Sequence, residues 1–136
     1  MPGETAVPVA QYPDDFQTIS YSVDVGTAQY VPLFLADRDL ILDKATVRWE
    51  VDAGATCVAN LAKVADGTIF SGTNVNLTTD TIDMDAGTVG TTYEWTIDAA
   101  NNLIPAKALV ILEFGAAAPT ALGVVTICMR VRSRRQ

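Results

Sequence analysis

Histidine is absent from all 136 residues. That removes the commonest general base and the commonest protein ligand of zinc and non-haem iron. A Ser or Cys nucleophile would then need a lysine or a carboxylate as its base. Lys44, Lys63 and Lys107 show no Ser-x-x-Lys spacing, and neither a Gly-x-Ser-x-Gly elbow nor a phosphate-binding glycine loop occurs. An enzyme is not expected. Cysteine is scarce too. Cys57 and Cys128 lie far apart in apolar stretches, which reads as two buried free thiols rather than a disulfide.

Charge is low, at 18% of residues, and one-sided, with a net charge of −7. An acidic chain is a poor general nucleic-acid binder, because phosphate counterions must be replaced by Lys and Arg. All the acids precede residue 130, whereas Arg130, Arg132, Arg134 and Arg135 crowd the last seven positions. The first residues have neither a basic region nor an apolar run, so no secretory signal is expected. The longest apolar stretch, 108–129, carries Glu113, Pro119, two glycines and β-branched residues. Two buried strands joined by an Ala/Gly/Pro loop explain it better than a membrane span. No 3.6-residue periodicity marks a helix.

What is present is hydrophobic residue, 49% of the chain, arranged with period two. That is enough for one core and too apolar for disorder. In 18–25, Ile19, Tyr21, Val23 and Val25 oppose Thr18, Ser20, Ser22 and Asp24. In 46–52, Val47, Trp49 and Val51 oppose Thr46, Arg48, Glu50 and Asp52. In 92–98, Tyr93, Trp95 and Ile97 oppose Glu94 and Thr96. These read as half-buried antiparallel strands. Stretches 28–36, 108–114 and 122–132 are apolar on both faces and need a second burial partner, for which subunit packing is natural. Pro32 marks an edge or a bulge. Stretch 55–64 is a weaker strand, and 68–71 and 76–83 are short candidates. About eight strands with frequent turns predict an all-β fold, an antiparallel β-sandwich or jelly roll over 17–136. Residues 1–16 hold three of the six prolines and read as an extended N-terminal arm.

Several residue groups invite a chemical reading. Asp83 and Asp85 precede Gly87 in "TIDMDAGT" (81–88), with Asp80 just before the stretch. An EF-hand loop starting at Asp83 would need glycine at its sixth position, one residue after Gly87. Asp followed by a small residue and glycine recurs in "VDVGT" (23–27) and "VDAGA" (51–55), so turn chemistry is favoured over a weak Ca²⁺ or Mg²⁺ site. Glu50 and Glu94 fall on outer strand faces and read as solvated, whereas the acid of a glycosidase needs burial. Trp49 and Trp95 are in phase with aliphatic residues and read as core rather than sugar platforms. Asn76-Leu77-Thr78 matches a glycosylation sequon by chance. Arg130, Arg132 and Arg134 share one strand face, opposite Val125, Ile127, Met129 and Val131. The stripe reads equally as a docking edge for an acidic surface or as an edge strand charged against aggregation.

The run from Gly67 to Arg132 resembles the C-terminal half of small virion proteins of tailed bacteriophages. The carrying elements are "TIDMDAGT", "AANNLIPAKALVILEF" and "VVTICMRVR". Lys107 stands where that family usually has glycine. The preceding "LILDKATVRWEVDAGATCVANLAKVADGT" resembles the family's first strand pair. The resemblance implies a jelly-roll decoration (cement) protein on the outer surface of a capsid, made in the host cytoplasm. It would be a homotrimer, or else a homodimer, bridging copies of the major capsid protein. No catalytic residue, cofactor, nucleic acid or membrane is implied. A tail, baseplate or carbohydrate-binding jelly roll is the alternative. Tyr12 and Phe16 of the arm, with Arg130, Arg132, Arg134 and Arg135, are the expected capsid contacts.

Overall fold

The computed structural model describes residues 16–115, 118–120 and 122–134. They form ten strands and no helix: β1 (Phe16–Asp24), β2 (Tyr30–Leu35), β3 (Leu40–Trp49), β4 (Val58–Val64), β5 (Val75–Asn76), β6 (Ile82–Asp83), β7 (Tyr93–Glu94), β8 (Leu103–Ile104), β9 (Leu109–Phe114) and β10 (Val124–Ser133). Two antiparallel five-stranded sheets face each other. The first runs β1-β10-β3-β7, with β8 also on β3. The second runs β2-β9-β4-β5, with β6 also on β4. The two extra strands beyond the expected eight, β6 and β8, are two-residue pieces. The other eight carry the jelly-roll order, with the first strand beside the last and the chain crossing repeatedly between sheets.

Alternation puts one face of each sheet into the core. Val125, Ile127, Met129 and Val131 of β10 are fully buried, while Arg130 points out. Their β3 counterparts change parity midway. Leu40 and Leu42 are buried, then Ala45, Val47 and Trp49. The cause is a bulge, because Arg130 pairs with Lys44 but Val131 pairs with Leu42, leaving Asp43 unpaired. This parity switch hides the start of β3 from a period-two reading. The strand also stops at Trp49, so Val51, expected inside, is half exposed.

Trp49 and Trp95 fill the centre with Leu42, Leu61, Leu112, Phe114 and Ile127. Two polar bonds tie the sheets across that core. Trp95 Nε1 donates to the Ala59 carbonyl at 3.0 Å, and Lys63 Nζ donates to the Leu103 carbonyl. Burial pushes the Lys63 ammonium below its ordinary range, against the pull of Asp98.

The strands that are apolar on both faces find part of their second partner in this chain. On the outer face of the second sheet, Ile111, Ala62 and Val64 are buried with Tyr30 and Leu109 packed against them. The 65–74 loop reaches this face, where Phe70 packs on Tyr30 at 5.8 Å between ring centroids. Asn74 Nδ2 pins the loop by donating to the Phe70 carbonyl and to Glu113. The expected strand over 68–71 is thus a flap, with Gly72 N–H bonded to the Ile69 carbonyl.

Candidate functional site

The arginine stripe lies on the outer face of the first sheet. β10 is flanked on both sides, by β1 and by β3, so the edge-strand reading of the stripe is corrected. The bulge aims Asp43 outward, and Arg130 Nε donates to its Oδ2 at 3.0 Å. The Arg130 guanidinium also stands 4.8 Å from the centroid of the Phe16 ring. Arg134 is paired with Asp39, at 3.9 Å and through its backbone N–H to the Asp39 carbonyl. Arg132 is half-buried in register with Phe16 and Ile41. The structure therefore brings Phe16, Arg130 and Arg132 together, with the Arg130 charge answered by Asp43 and that of Arg134 by Asp39. Each exposed pair contributes about 0–1 kcal/mol, so the stripe is available to exchange partners. Phe16, assigned to the arm by its sequence, is the first residue of β1. Tyr12 and Arg135 lie outside the described residues.

Asp80 and Asp83 serve the backbone. Asp80 Oδ1 accepts the Thr96 N–H at 2.9 Å. Asp83 Oδ1 accepts the N–H groups of Asp85 at 2.9 Å and Cys57 at 3.2 Å, and those bonds hold its carboxyl below the ordinary range. Asp85 is pushed the other way, by desolvation first and then by the Asp52 carboxyl and the Asp83 charge. Among the described residues no group of three or more Cys, Asp or Glu converges as a metal cage. The recurring turn has one cause at Gly54 and another at Gly87. Gly54 has φ +79° and bonds to Asp52 Oδ1 at 2.9 Å. Gly87 needs no positive φ. A Cβ there would lie 2.7 Å from two Trp49 ring carbons, so it is glycine to let Trp49 in.

Of the other sequence candidates, Glu50 and Glu94 are exposed, Glu50 against Arg48. Trp49 and Trp95 are buried, hence closed to a sugar. Cys57 is buried and its thiol raised by that burial, but Cys128 is only half-buried, on the outer face between β1 and β3. Lys107 takes the glycine conformation of its turn, at φ +74°.

Two surfaces escaped the sequence reading. The flap exposes Ile69 at 73% and half-exposes Phe70. The open side of the sandwich, where β1 and β2 are the sheet edges, holds a groove of about 300 Å³ that includes Ile19, Tyr21, Phe34 and Leu35. Tyr21 and Phe34 stack across it at 6.0 Å. The apolar run Leu33-Phe34-Leu35, with nothing polar on either parity, was the available signal.

No protein-family model matches the chain, and no curated protein matches it. Among solved structures it is similar to a chain of the Cyanophage Pam1 capsid asymmetric unit, with a TM-score of 0.57 and 16% identity. The match covers 97% of this chain and 94% of that one, so the two chains are of nearly equal length. The likeness shows a shared fold.

Proposed function

We propose that this chain is a structural, non-catalytic component of a phage virion, decorating the outer capsid surface and bridging capsomers. The carrying observation is the whole-chain likeness to a chain of similar size in a capsid asymmetric unit. It agrees with the independent resemblance of residues 67–132 to small virion proteins. The proposed layout is an arm over residues 1–15 followed by the sandwich, which Phe16 opens. Its proposed partners are the major capsid protein and further copies of itself, as a homotrimer or homodimer.

The physical task is to add contact area across joints between capsomers. Many copies on one shell turn modest single affinities into a stable coat. Phe16, Arg130, Arg132 and Arg134, with Tyr12 and Arg135, are the proposed contacts, the arginines exchanging Asp43 and Asp39 for acids of the shell. The test is to purify virions, identify this chain by mass spectrometry, and strip and restore it. Heat and chelator resistance should fall on stripping and return on restoration. Virions without the chain, or shells equally stable without it, would refute the proposal.

A further inference from the structure

We infer that the outer edge of β1, which no described strand pairs, is a self-association surface, to which a second copy of this chain adds its own β1, antiparallel, across a two-fold axis. This deepens the proposed self-association by naming its surface and a two-fold symmetry, and it stands independently of the virion role. Sheet edges are normally blunted by proline, by lysine, by a bulge or by shortness, because a row of unpaired N–H and C=O groups recruits other strands. The other long edge, β2, follows that rule. It carries Pro32, and its register with β9 shifts between Val110 and Ile111. The strands at the far sides are two residues long. β1 has no such device. It is nine residues long, pairs with β10 one-to-one throughout, and contains no proline, lysine or arginine. Its one charge, Asp24, is its last residue. Among the described residues no strand pairs with its other side.

The strand is also complementary to itself. Antiparallel pairing centred on Ser20 sets Ile19 against the second copy's Tyr21 and Gln17 against its Val23 on the core side. Thr18 then meets Ser22 on the outer side, and Phe16 meets Asp24. No like charges face each other, because the two Asp24 side chains end up about 27 Å apart, beyond a Debye length of about 8 Å. The half-buried Ile19, Tyr21 and Val23 and the 66% exposed Leu35 would be covered as the sandwich edges meet. A strand of nine residues is about 30 Å long, and a two-sheet edge is about 20 Å deep. That gives about 1,200 Å² buried in total, the low end for a specific dimer, and an affinity on the order of micromolar.

The experiment compares the full chain from about 1 to 500 µM by sedimentation velocity, with amide hydrogen exchange of residues 16–24 at both ends of that range. A dimer is expected, with β1 exchange slowing as concentration rises. Thr18→Glu with Ser22→Glu places Glu opposite Glu twice and should weaken dimerisation about ten-fold. Thr18→Glu with Ser22→Lys places opposite charges there and should restore it. Both positions face solvent, so circular dichroism should report folded chains. A strict monomer, an odd-numbered oligomer, association without added β1 protection, or β1 protection at every concentration would each overturn the inference. The last would mean that the edge is covered from within the chain.

Discussion

Replacing Lys107 by glycine should stabilise the protein. Lys107 is the only non-glycine residue at positive φ among the described residues, at +74°. An L side chain in the left-handed region costs roughly 1–2 kcal/mol, because Cβ crowds the following carbonyl. Lys107 is exposed, so its removal empties no core space. The two turn bonds, Lys107 N–H to the Ala36 carbonyl at 2.7 Å and Ala108 N–H to the Pro105 carbonyl at 3.1 Å, are made by backbone and survive. Glycine gives back roughly 0.5–1 kcal/mol through the greater freedom of the unfolded chain. The net gain is about 0.5–1 kcal/mol, or about 2–4 °C in Tm for a chain of this length. Scanning calorimetry should rank the variants Gly, then Asn, then Lys, then Val, since Asn tolerates this region and a β-branched side chain does not. A lower Tm for Lys107→Gly, with Lys107→Val unchanged, would refute the strain argument.

Gly87→Ala should cost about 1–3 kcal/mol in urea unfolding, because its Cβ meets the Trp49 ring. Trp95→Phe should cost at least about 1–3 kcal/mol by the same assay, since the buried Ala59 carbonyl loses its cross-sheet donor. The Asp83 carboxyl is depressed in the fold. Its contribution to stability is present above the unfolded carboxylate pKa and disappears as pH falls through the lower folded value. Stability curves of Asp83→Asn and the parent should therefore converge in acid. Asp85 is raised, so the sign reverses. Asp85→Asn should gain stability at neutral pH, and the gain should vanish below the unfolded carboxylate pKa.

The two sheets were legible because most strands keep one parity from end to end, as β1 and β10 do. β3 was only half legible, since the Asp43 bulge moves its buried set from even to odd positions and its first half looks unpatterned. Trp49 and Trp95 read correctly as core because they keep phase with valine and isoleucine. Burial on the outer face of the second sheet could not be assigned. An apolar second face looks the same whether a subunit or a flap of the same chain covers it, and it was the Tyr30–Phe70 contact that located one. The pairing of Arg130 with Asp43 was hidden for a related reason: 87 residues separate them. Gly87 had the right residue type for a turn, but what requires glycine there is a distant tryptophan ring.

The antiparallel pairing of β1 with β10 has a mechanical consequence. Phe16 lies opposite Arg132, and Asp24 lies opposite Val124. The first described strand therefore starts, and the last one finishes, at the same end of the sandwich. If the two ends were pulled in opposite directions, β1 would peel from β10 one rung at a time, the weak way to load a ladder whose bonds run across the strands. If they were pulled in the same direction, the load would pass along both strands and into the sheet as a whole. An N-terminal segment and an arginine end gripping one common body would hold like a rope tied with both ends to one post. Attached to two bodies moving apart, they would open like a zip.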